Sequence, residues 1–543
     1  MKNIFIILIL FAGSVTGQKL KKADKQILSS LQAHIGYLAN DKLEGRRMGT
    51  AGEKLAYDYI ITQYKSIGLL PAGDNQTYLQ KFEYNEGRKV NPTTFLIING
   101  NDLPADKDFF PLGFSGNGSL EAAPGIALQE KGMPWFWDLK ELLEKNKANP
   151  HFDISEATRL KAVDAVAKGA SALIVYNTSA INDDLKFEGK QSVDLLKIPV
   201  VYISKSSKEK YLSDESSAVD LKLKVDISDK KRMGENVIGF IDNGAATTII
   251  AGAHYDHLGY GEDHNSLWTG AKSIHNGADD NASGTAAVIE LARLLKNSKL
   301  THNNYLFICF SGEELGLIGS KYFTEHPTVD LGKVNYMINM DMVGRLNDTS
   351  HALSIGGYGT SASWATLLPG KEKNFSIKFD SSGVGPSDHT SFYRKQIPVL
   401  FFFTGIHQDY HKPADDADKI NYTGELQVIK YIYKVVEATD KQGKLAFLKT
   451  REPQMGSGKF PVSLGIMPDY SFSGIGVRAD GIVDGKIAQK AGIRAGDVIV
   501  QLGDYKFTDV MSYMGVLNKF KKGDATTVRV MRGKEELLFN IVF

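Results

Sequence analysis

Two hydrophobic periodicities alternate along the chain, and the places where they change divide it. Early on, "SSLQAHIGYLANDKLEGRRMGT" and "AGEKLAYDYIITQYKSIGL" carry apolar residues at helical spacing, Ile60, Tyr64 and Ile67 among them, ahead of a Gly- and Pro-containing loop. These segments predict scaffold helices. From about Pro111 to Ile227 the pattern turns to short β-like runs, "GASALIVYN" and "IPVVYIS", around the helical "EATRLKAVDAVAKG", which predicts an inserted α/β module. "ENVIGFID", "TTIIAGAHYDHLG", "NYLFICFSGEE" and "VNYMINMDMVG" then read as buried strands separated by helical segments. Such an order predicts an α/β domain with a largely parallel or mixed sheet. A helix near "QVIKYIYKVVEATD" closes this part, the polar "KTREPQMGSGKF" reads as a linker, and a separate β-rich unit follows.

Composition changes this picture little. The 543 residues exceed one ordinary domain, and 42% apolar with 23% charged residues describes globular protein. With 64 Lys and Arg against 63 Asp and Glu, charge gives no argument for a nucleic-acid or anionic-membrane partner. Cys309 is the only cysteine, so no internal disulfide can form. At the N-terminus, Lys2, the apolar "IFIILILF" and the small residues of "AGSVTGQ" read as a signal peptide cleaved near Gly17. The apolar run is shorter than the ~20 residues a membrane span needs, and no cysteine follows to carry lipid. The expectation is export to a periplasm or the medium, with no stable membrane anchor.

Candidate chemistry gathers after the predicted strands, where open α/β sheets place their sites. "FSGEELGLIGS" sets Glu313 beside Glu314, either as carboxylates at a helix N-terminus or as a metal ligand beside a base. His254 and Asp256 lie two apart in "AGAHYDHLG", so that an aspartate can orient an imidazole. Asp279 and Asp280 form an acidic turn in "HNGADDNASG", for which a helix cap is the alternative. Asp341 ends an apolar strand, where an uncompensated buried carboxylate is costly enough to point to a cation. "GIHQDYHKPADDADKI" supplies His407 and His411.

Taken in order, His-x-Asp, Gly-Ala-Asp-Asp, Glu-Glu, strand-end Asp, Ser-Asp-His ("PSDHTSF") and Tyr-His-x-Pro resemble metallopeptidase family 28, the di-zinc exopeptidases that include bacterial leucyl aminopeptidases. The resemblance runs over residues 25 to 445. It implies two Zn2+ ions bridged by Asp279, one also held by His254 and Asp341, the other by Glu314 and His411. Glu313 is then the free base that activates a metal-bridged water. Asp256 is implied as the partner of His254, and Asp280 as following the bridging position at a cis peptide. Asp388 and His389 lie near the cleft, while His257, His275 and His407 match no ligand, and no tyrosine is matched to the carbonyl-assisting one of some relatives.

The middle module resembles a protease-associated domain. The C-terminal unit, "SLGIMPDY" through "DGKIAQKAGIRAGDVIVQLGDYKF", resembles a bacterial PDZ domain, with Ser463, Leu464, Gly465 and Ile466 as its carboxylate-binding loop for peptide or protein C-termini. A PDZ-like unit that only packs on the peptidase is the alternative. The organisation implied is a signal peptide (1–17), a zinc peptidase domain in two parts (18–110 and 231–447), the insert (111–230), a linker (448–460) and the PDZ domain (461–543). Aminopeptidase action on peptide substrates is the leading expectation. A carboxypeptidase or glutaminyl cyclase on the same scaffold, and a non-catalytic peptide-binding protein, are the alternatives.

Overall fold

In the computed structural model, the described residues are 21–147, 152–189, 194–214, 217–263, 265–368, 372, 374–450, 462–468, 475–483, 485–507, 510–517, 519–533 and 535–543. The expected signal peptide and most of the linker lie outside them. The chain divides into two compact units, one of residues 1–82 and 233–543, the other of 83–232.

A nine-stranded mixed sheet organises the first unit. Its centre is parallel: Asn304–Phe310, Thr248–His254, Val334–Met340 and Val399–Phe403 lie side by side in that order. Ile227–Ile241 and Ala352–Gly356 flank them antiparallel. "NYLFICF" shows why the central runs read as continuous apolar stretches. Tyr305, Phe307 and Cys309 pack on one face with the helices Lys22–Leu38, Ala51–Ile67, Gly284–Lys296 and Tyr422–Thr439, while Leu306, Ile308 and Phe310 pack on the other with Phe323 and Phe392. A strand buried on both faces has no polar alternation to show.

The helix predicted over the first segment stops at Leu38, and "DKLEGR" is a tight turn over Asp41–Arg46. Gly45 holds φ 69°, and a Cβ there would lie 2.6 Å from the His275 carbonyl oxygen. Only glycine fits, and the turn thereby aims Arg46 inward.

The second unit holds two four-stranded sheets. Pro134–Asp138, Ala172–Tyr176 and Val200–Ile203 are parallel, with the helix Ile154–Lys168 between the first two in sequence. The unit begins at Glu83, earlier than the expected Pro111. The reason is long-range: Phe95–Ile98 pairs antiparallel with Leu221–Lys224, which no local pattern reveals.

Residues 462–543 form a mostly antiparallel β-unit around its own core, including Leu464, Val477, Ile499, Val528 and Ile541. Among the described residues, Ile466–Pro468 pairs only with Val477–Ile482, at one edge of the sheet. Among the described residues, no helix is long and apolar enough to cross a membrane.

Candidate metal centre

Four parallel strands end at the same edge of the sheet, and each delivers chemistry there. His254 closes the strand Thr248–His254 and lies in register with Phe310, so Glu313 and Glu314 follow just beyond its neighbour. Asp341 follows Val334–Met340, its amide donating to the Phe402 carbonyl at 3.2 Å. The loop after Val399–Phe403 brings in His411.

Asp280 stands between the two histidines. Its Oδ1 is 3.3 Å from His254 Nε2, and its Oδ2 is 3.2 Å from His411 Nε2. Asp341 Oδ1 lies 3.5 Å from His254 Nε2, and Glu314 Oε2 lies 3.3 Å from His411 Nε2. Two groups of three donors therefore share one carboxylate, and ligand atoms of His254, Asp280 and Glu314 lie within 4.8 Å of one another. For donors about 2.0–2.1 Å from a tetrahedral ion, the donor–donor edge is about 3.3–3.4 Å. The observed spacings agree with that edge, so the donor set fits tetrahedral metal coordination.

The bridging position expected at Asp279 is a correction. Asp279 turns away: its Oδ1 accepts from the Gly344 amide at 2.7 Å and the Ser283 hydroxyl at 3.0 Å, and its Oδ2 lies 3.3 Å from His407 Nε2. Asp280 has extended φ/ψ of −102° and 94°, and its side chain points to the side its neighbour leaves. Correspondingly, the cis peptide joins Asp280 to Asn281, one residue later than expected.

The turn is fixed from behind by residues that no sequence motif marked. Asp415 Oδ2 accepts the amides of both Asp279 and Asp280 at 3.0 Å. Arg46 is fully buried, donating to the carbonyls of Tyr255 and Gly277 at 2.6 Å, of Asp280 at 3.3 Å, and of Asn276. Burial lowers its pKa to about 10, which leaves the guanidinium charged at neutral pH. One side chain thus ties the end of the His254 strand to the aspartate turn. The only sequence signal for it was an Arg after a Gly-containing turn.

Both histidines present Nε2 because a backbone carbonyl takes the other ring nitrogen. Nδ1 of His254 lies 3.2 Å from the Asp256 carbonyl, and Nδ1 of His411 lies 2.8 Å from that of Asn265. The Asp256 carboxylate is 3.6 Å from His254 Nδ1, and its Oδ1 accepts the Glu313 amide at 3.2 Å. His257, matched to nothing in the sequence, bonds Glu314 Oε1 at 2.8 Å. The helix-terminus alternative for the two glutamates fails, since the next helix, Ile318–Glu325, begins only beyond Leu317.

In the Ser-Asp-His segment it is Ser387 that reaches the centre, donating to Asp341 Oδ2 at 2.7 Å. Asp388 is buried, and burial with Asp256 and Asp341 nearby raises its carboxyl to about 7. His389 stacks on Phe401 at 4.5 Å, and burial depresses its pKa to about 3. Glu313, Asp280, Asp341, His389 and His411 line one cavity with Tyr410, whose ring stacks on His411 at 3.9 Å.

Burial opposes the charged form of His254, yet Glu313 and Asp341 push its pKa well above the ordinary imidazole value. Glu314 is buried but held at about 2 by His411 and His257. Glu313 goes the other way: burial, with Glu314, Asp341 and Asp388 near it, raises it well above the usual carboxylate range. The adjacent glutamates thus have pKa values driven apart, as acid–base chemistry at a single site requires.

Residues 236–436 match Peptidase family M28, and residues 462–542 match the PDZ domain. The chain therefore carries a region that matches Peptidase family M28 and, after it, a region that matches the PDZ domain. Aminopeptidase YwaD of Bacillus subtilis is 28% identical over 301 residues, 52% of this chain and 60% of that protein. Leupeptin-inactivating enzyme 1 of Streptomyces exfoliatus is 31% identical over 194 residues, 34% of this chain and 39% of that one. The chain thus spans less than two thirds of the length of these two relatives. "Probable lipoprotein aminopeptidase LpqL" of Mycobacterium tuberculosis is 28% identical over 426 residues, 72% of this chain and 76% of that protein. A solved structure of BSAP, a zinc aminopeptidase from Bacillus subtilis, aligns with a TM-score of 0.42 at 22% identity, covering 79% of this chain and 96% of that one.

Proposed function

We propose that the chain is an exported di-zinc aminopeptidase that removes N-terminal residues from peptides. The observation that carries this is the pair of histidine–carboxylate groups sharing Asp280, spaced for tetrahedral ions, with Glu313 left over beside them. In this reading His254, Asp280 and Asp341 hold one ion, while Asp280, Glu314 and His411 hold the other. Mixed nitrogen and oxygen donors suit zinc.

Zinc bound there would polarise the scissile carbonyl and make water a nucleophile at neutral pH. Glu313 takes the proton of the attacking water and returns it to the leaving amine. Its backbone is held by the Asp256 carboxylate, which fixes where its own carboxylate sits for that transfer.

Polarity of action follows from the cavity. Among its described lining residues there is no Lys or Arg to receive a substrate carboxylate. This favours an aminopeptidase over a carboxypeptidase. Retention of a base beside a full set of donors argues against a catalytically silent binding protein.

The inserted unit is read as a protease-associated domain, and the C-terminal unit as a reader of peptide C-termini. The unpaired edge of Ile466–Pro468, preceded by Ser463, Leu464 and Gly465, is where a peptide strand would add. Export rests on the N-terminal pattern of a charged start, an apolar core and small residues.

The test is a panel of amino-acid anilides beside N-blocked and C-blocked dipeptides and glutaminyl peptides, assayed with metal content. Hydrolysis of anilides and C-blocked dipeptides, with none of N-blocked ones, is expected. Carboxypeptidase cleavage, cyclisation alone, or no turnover by the metal-loaded protein would each overturn the reading.

A further inference from the structure

The cavity that contains the metal-facing carboxylates continues along an apolar wall. Phe401 and Phe403 lie on the strand Val399–Phe403, opposite Gly356 and Ser354 of the antiparallel neighbour Ala352–Gly356. Directly paired residues share a face of the sheet, so these four form one floor. Gly356 keeps it open, because a Cβ there would already touch Phe401 at 3.3 Å.

Asp380 follows the edge strand Ser376–Phe379 and lines the same cavity from an exposed position. Its Oδ1 accepts the Ser382 amide at 3.1 Å, which fixes the carboxylate to its own loop. The other lining carboxylates, Asp280, Glu313 and Asp341, all belong to the centre and face its histidines. Among the described lining residues, Asp380 is the one carboxylate outside that set. Lys378, two residues earlier and in register with Ser354, is on the same face of the sheet as this floor, although it is not among the described lining residues.

An aromatic floor leading from the reacting centre to a carboxylate at the rim has the shape of a slot for a long side chain with an apolar stem and a cationic head. Lys and Arg side chains divide in this way, burying their methylenes while the charge remains near water, and aromatic faces accept them well. We propose that Asp380 is a specificity-determining residue that selects substrates with lysine or arginine at the N-terminus, the stem lying over Phe401 and Phe403. The proposal rests on the aminopeptidase reading above.

The experiment compares kcat/KM for lysyl, arginyl, norleucyl and methionyl anilides in the metal-loaded wild type, Asp380→Asn and Asp380→Lys. A rim ion pair of ordinary strength gives a preference of about 1.5-fold to fivefold for the basic residues over the neutral ones. That ratio should fall towards unity in Asp380→Asn, invert in Asp380→Lys, and shrink as salt rises in the wild type. A lysyl-to-norleucyl ratio that is the same in all three proteins overturns the proposal while leaving the aminopeptidase reading intact. That includes the case where every substrate loses equally, as it would if Asp380 served the α-ammonium group. No turnover of any anilide by the metal-loaded wild type removes the parent reading, and this proposal with it.

Discussion

Replacing each member of the aspartate pair in turn separates the residue that would hold metal from the one that holds the turn. Asp279→Asn keeps an oxygen for the Gly344 amide and the Ser283 hydroxyl but loses the charge, which weakens two charge-assisted bonds. The expected cost is roughly 1–3 kcal/mol of folding stability. Its effect on metal is indirect, about 10-fold in affinity at the low end of the range for residues that support a ligand, which still leaves about 1.4 kcal/mol of zinc stabilisation at 100 times the wild-type Kd. Asp280→Asn instead leaves one oxygen where the two groups use one each, and removes the charge that would offset the repulsion of two cations.

Metal binding to the folded state adds RT ln(1 + [L]/Kd) to stability, about 2.7 kcal/mol at 100 times Kd. A 100-fold loss of affinity reduces that increment to about 0.4 kcal/mol at the same zinc concentration. Asp280→Asn should therefore lose most of the zinc-induced rise in Tm, while Asp279→Asn should start from a lower metal-free Tm and still respond to zinc. Elemental analysis after dialysis against a graded chelator measures occupancy independently. Equal occupancy losses in the two variants, or a larger loss in Asp279→Asn, would refute the assignment of Asp280 as the shared ligand.

Three further outcomes follow from other parts of the molecule. Glu313→Gln should retain zinc and lose roughly 10²–10⁴-fold in kcat, since the amide cannot accept the proton; wild-type turnover at full occupancy would sink the assignment. Asp415→Ala should lower both stability and zinc affinity although it reaches no ligand, because two buried amides lose their acceptor; unchanged chelator titrations would show that the turn holds itself. Glu53 is buried beside Ser311, and burial raises its pKa to about 8. The unfolded chain loses that proton first, near pH 4.5, so this group's contribution to stability falls as pH rises, by about 1.4 kcal/mol per unit up to pH 8. Chemical denaturation of wild type and Glu53→Gln at several pH values isolates the slope, and parallel profiles would contradict it.

The central strands were legible because doubly buried strands are continuous apolar runs, and the donor residues because they sit where such runs stop. What could not be read was anything fixed by long-range pairing. The insert boundary depends on Phe95–Ile98 meeting Leu221–Lys224, far away in sequence. Arg46 and Asp415 act through backbone groups, and a carbonyl or amide leaves no mark in the residue pattern. Asn265 is the sharpest case. Its main contribution is its own carbonyl, which orients His411, and any residue type could supply that.

The misplacement of the bridging aspartate by one position has the same root. Residue type is identical at 279 and 280, and a motif aligned on the pair fits either register. The backbone decides between them, because Asp280 leaves helical geometry at φ −102° and ψ 94° while Asp279 does not. One acid of a doublet in the turn before a helix can therefore face the cavity while its neighbour is absorbed by the fold. Asp279 is taken up by Gly344 and Ser283, and Asp280 faces the histidines. The glutamate doublet divides differently: Glu314 is drawn to His411 and His257, while Glu313 is held through its amide and keeps its carboxylate end for a proton. Neutralising the two glutamates singly should expose that division, although the substitutions are chemically the same. Glu314→Gln removes a charged donor from the His411 group and should weaken zinc binding, whereas Glu313→Gln should leave chelator titrations close to wild type. Matching titration curves for the two variants would mean that the doublet shares one role, and the separation of ligand from base would fail.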